Sequence, residues 1–100
     1  MNKNIKKPRN MAVYEAIVTL ETVEECIKLF DDLLSVAELR AMEQRYQVAE
    51  MLNRGMVYSA ILEKTGASSA TISRINRSLQ NAGDGYRTAF ARTEAKEGNE

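Results

Sequence analysis

Two helical patterns separated by a very short turn lie between Tyr58 and Leu79, in the sequence YSAILEKTGASSATISRINRSL. The turn is Thr65-Gly66-Ala67, and glycine is the residue that adopts a positive φ at little cost. Ser68 follows the turn and predicts a helix N-cap, because its hydroxyl can accept from a backbone N–H of the first turn. We therefore predict a helix-turn-helix over residues 58–81.

The second of these helices has two contrasting faces. One face is apolar at helical spacing and consists of Ile72, Ile75 and Leu79. The other holds small residues, hydroxyls and arginines: Ser69, Ala70, Ser73, Arg74 and Arg77. Small side chains let a helix approach base edges, and an arginine fork fits guanine or phosphate. An ordinary amphipathic hairpin is the alternative, but the ordered combination of signals favours a helix that reads DNA.

The composition favours an all-α fold. The chain has 100 residues with a single proline, and no stretch alternates apolar and polar residues as a strand would. This length corresponds to about one domain with a modest core. We predict about six helices in one DNA-binding domain over residues 11–92, between a basic arm (1–10) and a polar, frayed tail (93–100). The last helix is predicted to be short, from Asp84 to about Arg92.

The net charge of zero conceals a basic region. Residues 11–53 carry nine acids against three bases, whereas residues 54–92, which include the helix-turn-helix, carry six bases against two acids. A basic region around the proposed reader helix fits a polyanionic partner. Residues 1–10 are also basic, through Lys3, Lys6, Lys7 and Arg9. We expect this arm to be mobile, and solvation explains its charge better than contact with DNA does.

Several classes of protein are excluded by what the sequence lacks. Cys26 is the only cysteine and there is no histidine, so no intrachain disulfide can form and we expect no metal site. Without histidine, paired carboxylates or a glycine-rich phosphate loop, we expect no enzymatic activity and no cofactor. The chain shows no signal peptide and no apolar stretch of membrane-spanning length. We expect a cytoplasmic protein without a membrane partner.

Capping signals place the helices of the first half. The segment 11–20 is apolar nearly all round and predicts a short helix, part of which a partner subunit would cover. Thr22 and Glu25 have the spacing of a capping box, in which the side chain of each residue accepts from the backbone N–H of the other. Ser35 and Glu38 repeat that spacing.

The longest helix is predicted to follow Ser35 and to end near Arg54, with Gly55 as its stop. Its main apolar stripe comprises Leu39, Met42, Tyr46 and Ala49. Its opposite, solvated face comprises Arg40, Glu43, Gln44, Gln47, Glu50 and Arg54. Arg45 instead falls on the flank with Val48, so it either pairs with an acid, which is the simpler interpretation, or contacts a ligand or phosphate.

Residues 33–82 resemble the Trp repressor family, and the last third of the match is the most specific. The resemblance is carried by Leu33-Leu34-Ser35, Glu38, Ala41, Arg45, Leu52-Asn53-Arg54-Gly55, TGASSATISR from Thr65 to Arg74, and Ser78-Leu79. The chain resembles a less characterised branch of repressor-like proteins more than the tryptophan sensor. The resemblance implies an intertwined, all-helical homodimer whose two reader helices lie about one DNA turn apart.

The resemblance also implies a set of DNA contacts. The residues that it places against bases are Ser69, Ala70 and Ser73. Those that it places near phosphates are Thr71, Asn76 and Arg77. Three basic or capping residues complete the predicted DNA-binding set: Arg54, Ser68 and Arg74.

In the tryptophan sensor, two arginines hold the ligand, and the matching positions in this chain are Arg45 and Arg74. Ser35 matches a position beside the amino-acid carboxylate or amine. Ile75 stands where the sensor has a small residue next to the indole, and its branched side chain would occupy that volume. The resemblance therefore leaves room for a small-molecule corepressor but argues against tryptophan.

These patterns lead to one function and two alternatives. The leading hypothesis is a homodimeric transcriptional regulator, a repressor by resemblance, that binds double-stranded DNA through its helix-turn-helix. The first alternative is a DNA-binding dimer with no small-molecule corepressor, because Ile75 fills the pocket. The second is a helical interaction module whose acidic half docks a protein partner.

Overall fold

The computed structural model describes residues 7–98. Within that range there are six α-helices and no strand: α1 (Ala12–Ile17), α2 (Val23–Leu33), α3 (Val36–Asn53), α4 (Tyr58–Thr65), α5 (Ser69–Asn81) and α6 (Asp84–Gly98). The predicted all-α class and number of helices are confirmed. The chain divides into two compact units, one up to Ala41 and one from Met42 onward. Lys3 and Lys6 of the predicted mobile arm lie outside the described residues.

The predicted capping box of α3 forms in full, whereas at α2 the Thr22 cap forms but the Glu25 carboxylate bonds the residue before Thr22. The Thr22 hydroxyl accepts from the N–H of Glu25 at 3.1 Å, and the Glu25 carboxylate accepts from the N–H of Glu21 at 2.8 Å. Ser35 and Glu38 bond reciprocally, each side chain accepting from the other's N–H, at 3.2 and 2.8 Å. The first turn of a helix leaves such N–H groups without a helical partner, so these bonds determine where α2 and α3 begin.

The first helix is shorter than the predicted segment 11–20. Regular helix ends at Ile17, and the N–H groups of Thr19 and Leu20 bond carbonyls three residues back, each at 3.1 Å. Ile17, Val18 and Thr19 are consecutive β-branched residues, which lose side-chain freedom in a helix. The tighter turn that follows α1 is therefore a local consequence of this run.

Apolar side chains of the first unit remain exposed. Val18 is 82% exposed and Val23 is 70% exposed. Others that are at least one-third exposed are Met11, Val13, Tyr14, Ile27, Leu33 and Val36. Arg9 covers part of Tyr14, since its guanidinium donates to the phenolic oxygen at 3.1 Å and lies 5.9 Å from the ring centroid. The first unit therefore presents apolar surface that its own helices do not bury.

The core lies in the second unit and is shared by α3, α4, α5 and α6. Its buried members are Val48, Ala49, Ile61, Ala67, Ile72, Ile75, Leu79 and Phe90. The predicted apolar face of α5 is thus confirmed as buried. On α3, the buried face centres on Val48 and Ala49, so it takes in the flank as well as the predicted stripe. Full burial of a valine, leucine, isoleucine or phenylalanine side chain contributes about 1.5–3 kcal/mol to the stability of the fold.

The last helix is longer than predicted. The sequence pattern predicts that the helix ends near Arg92 and that a frayed tail follows. In the structure the helix continues through residues 93–98. Thr93 fits this continuation because its hydroxyl donates to the carbonyls of Ala89 and Phe90, at 2.8 and 3.1 Å. The segment is polar, but polar residues such as glutamate and lysine form helix readily, so polarity alone does not end a helix. Residues 99–100 lie outside the described residues.

An aromatic cluster anchors this helix on α3. The ring of Tyr46 lies 5.4 Å from that of Phe90 and 6.1 Å from that of Tyr86, measured between centroids. The rings of Tyr86 and Phe90 stack at 5.8 Å. Burial, and then the nearby Glu50 carboxylate, raise the pKa of the Tyr46 phenol. The phenol therefore stays neutral at physiological pH and packs as an uncharged group.

Gly55 ends α3 as predicted. It has φ +81°, and its N–H donates to the Leu52 carbonyl at 3.0 Å while the N–H of Met56 donates to the Met51 carbonyl at 3.1 Å. This pair of bonds satisfies carbonyls that the last turn leaves open.

Among residues 7–98, none of the helices has the length and apolar character needed to cross a lipid bilayer.

Candidate nucleic-acid interface

The turn between α4 and α5 is built on Gly66. Gly66 has φ +74°, in the left-handed region, and its N–H donates to the carbonyl of Leu62 at 2.8 Å, which closes α4. A Cβ at this position would meet no atom within 4 Å, so the backbone conformation alone demands glycine. The predicted turn and its positive φ are confirmed.

Thr65 and Gln44 hold this turn in place. The Thr65 hydroxyl donates to the Ile61 carbonyl at 2.7 Å and accepts from the N–H of Ala67 at 3.1 Å. The side-chain amide of Gln44, on α3, donates to the Thr65 carbonyl at 3.1 Å. The sequence pattern predicts that Gln44 is solvated with the polar face of α3, and this is wrong. Gln44 is half-buried because the fold brings α3 beside the turn, which no local signal indicates.

A chain of polar contacts marks the start of α5, the helix predicted to read DNA. The Ser68 hydroxyl accepts from the N–H of Thr71 at 3.1 Å, which confirms the predicted N-cap. The same hydroxyl donates to the Thr71 oxygen at 3.0 Å, and the Arg74 guanidinium donates to that oxygen at 3.4 Å. Arg74 therefore lies back along the helix toward its N-terminus, where N–H groups and the helix dipole favour an anion.

The middle of α5 is tied to α4 by a side-chain contact. The amide nitrogen of Asn76 donates to the phenolic oxygen of Tyr58 at 3.1 Å. Tyr58 is 38% exposed. A phenol has one O–H to donate, and here its oxygen already accepts, so its hydrogen is available to a partner outside the chain. Tyr58 is not among the DNA-contacting residues predicted from the sequence, because its contact with Asn76 joins residues 18 apart along the chain.

The exposed and buried faces of α5 separate as the spacing predicts. Ser69, Ala70 and Arg77 are exposed and Ser73 is half-buried, whereas Ile72, Ile75 and Leu79 are buried. The face that carries small and basic side chains is thus open to solvent within the chain. A face of this kind gives a duplex access both to backbone N–H groups and to arginine forks.

Arg54 lies apart from this group, at the end of α3. Its guanidinium is 3.6 Å from the Glu50 carboxylate, and the two side chains are 63% and 41% exposed. An exposed pair one helical turn apart contributes about 0.3–0.5 kcal/mol, so it does not prevent the arginine from turning to another anion. Contact between Arg54 and DNA stays a prediction.

The three residues predicted to hold a ligand are placed as follows. The Ser35 hydroxyl is engaged in the cap of α3 and belongs to the first unit. Arg45 is exposed and, among residues 7–98, forms no ion pair, so the expected pairing with an acid is not observed there. Arg74 is directed onto Thr71. Ile75 is only 6% exposed and packs in the core.

Sequence comparison identifies relatives along most of the chain. The family described as Trp repressor protein matches residues 10–94. YerC, an uncharacterized protein of Bacillus subtilis strain 168, is 41% identical over 85 residues, which are 85% of this chain and 82% of YerC.

Structural comparison gives the same result. A crystal structure of a candidate Trp repressor from Staphylococcus aureus is similar with a TM-score of 0.84 and 44% sequence identity, over 93% of this chain and 96% of that one. A TrpR-like protein from Eubacterium eligens is similar with a TM-score of 0.79 and 42% identity, over 83% of this chain and 86% of that one. These similarities extend well beyond the helix-turn-helix, so the all-helical fold is that of Trp repressor-like structures.

Proposed function

The chain belongs to the Trp repressor family, and from this premise we propose that it is a sequence-specific DNA-binding transcriptional repressor. One observation carries the proposal: α5 buries three aliphatic side chains and leaves its small and basic residues open. Ala70 and Ser73 would let the helix enter a major groove, and Arg77 would contact its edge. A protein with this role works where the chromosome is accessible, which for this chain we infer to be the cytoplasm.

The proposed active form is a homodimer. Two reader helices are needed to read a pseudo-palindromic operator with half-sites one helical turn apart. Exposed apolar side chains in and next to α1 and α2 supply surface for such an association. They include Val18, just after α1, and Val23, which are 82% and 70% exposed. Sedimentation equilibrium should give twice the 11.2 kDa mass of the chain. A monomer at micromolar concentration would contradict this part of the proposal.

The test of DNA binding begins with selection of bound fragments from genomic DNA by the purified protein. Fluorescence anisotropy then compares a selected site with a scrambled duplex across a series of salt concentrations. We expect preference for the selected site and a steep fall in affinity with salt, since phosphate contacts release counterions. A protein that binds both duplexes equally, or binds without salt dependence, would not be a sequence-specific repressor.

Ile75 supports a more specific form of the proposal, in which DNA binding needs no corepressor. Its side chain is packed in the core at the position where the resemblance implies space beside an indole. Arg74 is already directed along the DNA-facing side of α5. Calorimetry with tryptophan, other amino acids and indoles tests this form. Binding that disappears in Arg45→Ala and Arg74→Ala would show that a corepressor site exists after all.

The alternative of a protein-interaction module makes a different prediction. The acidic residues of positions 11–53 would then carry the function, and the arginines of α5 would be dispensable. In the double variant Arg74→Ala/Arg77→Ala, a repressor loses operator binding, whereas an interaction module retains its partner. Arg92→Ala, which removes one exposed positive charge from α6, is the matched control for the loss of charge.

A further inference from the structure

The C-terminal end of the reader helix is closed by a residue from the next helix. After Asn81, Ala82 leaves the helical conformation with φ −133° and ψ −106°, and α6 begins two residues later. Arg87, in the first turn of α6, folds its side chain back over this junction. Its Nη2 donates to the carbonyl of Leu79 at 2.7 Å, and its Nη1 donates to the carbonyl of Ala82.

These contacts meet a physical need at this position. The last carbonyls of a helix have no N–H partner within the helix, and the helix dipole places partial negative charge there. A guanidinium provides several donors in a planar fork together with a positive charge. The Asp84 carboxylate lies 3.6 Å from Nη1, and this exposed ion pair adds little to the two hydrogen bonds. One side chain thus completes the C-terminus of α5 and links it to α6.

Gly83 shows how closely the junction is packed. It has φ +75°, and a Cβ built on it would lie 2.5 Å from the Leu79 carbonyl oxygen and 3.2 Å from Nη1 of Arg87. A side chain at this position would therefore push apart the groups that Arg87 joins. Gly83 therefore leaves the space in which the Arg87 guanidinium reaches the Leu79 carbonyl.

We propose that Arg87 is a positioning residue for DNA binding. It holds the end of α5 against α6, and thereby sets the angle at which Ser73 and Arg77 meet the duplex. Its charge is used within the protein, so it makes no contact with phosphate, although it counts among the six bases of residues 54–92. This inference rests on the proposed function, because it concerns how the reader helix is presented to DNA.

The experiment measures operator affinity and its salt dependence in variants that circular dichroism shows to be folded. For Arg87→Ala we expect affinity for the selected operator to fall about tenfold while the slope of log affinity against log salt stays at the wild-type value. Arg77→Ala, a proposed phosphate contact, should instead reduce that slope by about 0.9. Arg92→Ala is the matched control, and we expect its affinity to change less than twofold.

A second variant keeps the test valid if Arg87→Ala does not fold. Arg87→Lys retains the charge but has no planar fork to reach both carbonyls. We expect it to lose affinity about threefold, with an unchanged slope, and to exchange amide hydrogens faster in the last turn of α5. These changes together would establish positioning, since a residue that affects only global stability leaves the affinity of the folded protein unchanged.

Two results would overturn the inference. One is wild-type affinity in folded Arg87→Ala or Arg87→Lys, and the other is a reduced salt slope, which would make Arg87 a phosphate contact. Failure of the proposed function is distinguishable, because wild-type protein would then fail to discriminate the selected operator from a scrambled duplex. In that case, faster amide hydrogen exchange at the end of α5 in the Arg87 variants would still show that Arg87 stabilises this end of the helix.

Discussion

The side-chain amide of Asn76 donates to the phenolic oxygen of Tyr58 across 3.1 Å, which joins the two helices of the helix-turn-helix on their outer side. The resemblance implies a phosphate contact for Asn76, yet its amide already serves Tyr58. We infer that the two residues act together, with Asn76 holding the ring and the Tyr58 hydroxyl facing the duplex. The pair extends the proposed DNA-binding surface from α5 onto the start of α4.

Replacement of this hydroxyl should weaken DNA binding more than it weakens the fold. In Tyr58→Phe the ring stays but the acceptor and the outward donor are lost. Because the contact is exposed, we expect at most about 0.5–1.5 kcal/mol of lost stability in urea titrations. Operator affinity by anisotropy should fall severalfold. A double-mutant cycle with Asn76→Ala checks the coupling, and strictly additive effects on affinity would contradict joint action.

The hydrogen bond from Gln44 to the turn can be tested with a control on the same helix. Gln44→Ala removes the donor to the Thr65 carbonyl, and we expect the free energy of unfolding to fall by about 1 kcal/mol. Gln47 is exposed on α3, so Gln47→Ala should change that free energy by less than about 0.5 kcal/mol. Urea unfolding of both variants decides the matter. Equal effects would mean that the turn does not depend on Gln44.

The N-cap of the reader helix should contribute measurably to stability. Ser68→Ala removes the acceptor for the N–H of Thr71, and N-cap replacements of this kind cost about 1 kcal/mol. Ser69→Ala, at the neighbouring exposed position, is the control and should leave stability nearly unchanged, since alanine is the better helix former. Thermal unfolding followed by circular dichroism measures both variants. A stability loss confined to Ser69→Ala would place the cap elsewhere.

The capping box of α3 predicts a specific acid dependence. The Ser35 N–H, and then its hydroxyl, hold the pKa of the Glu38 carboxyl below its usual value in the folded protein. A carboxyl whose folded-state pKa is depressed contributes stability above its unfolded pKa and loses it as pH falls through the folded pKa. This contribution is therefore complete at neutral pH and disappears below about pH 4.

Glu38→Gln isolates that contribution, because the amide oxygen still accepts from Ser35 but does not titrate. Urea unfolding at pH 7 and at about pH 3 should show wild type losing more stability than the variant over this interval. All other acids are common to the two proteins, so the difference between them reports Glu38 alone. Identical pH profiles for the two proteins would show that Glu38 does not link α3 capping to pH.

Local signals in the sequence predicted most of the helix boundaries. The caps at the starts of α2, α3 and α5 and the glycine stops at Gly55 and Gly66 all act within about five residues, so neighbouring side chains suffice to identify them. The same holds for the buried face of α5, because helical periodicity alone separates its two sides. The ends of α1 and α6 differ from the prediction, because helix propensity, and not apolar or polar character, sets where these two helices end.

The sequence by itself therefore determined most of the helix boundaries, the caps and which side of α5 faces outward. Only the tertiary structure decided that Gln44 supports the turn, that Asn76 holds Tyr58, and that Arg87 closes the C-terminal end of α5. The bonded groups are separated by 21, 18 and 8 residues along the chain. The residues next to a polar side chain in the sequence do not indicate its hydrogen-bond partner, because the packing of the helices determines which groups come within bonding distance.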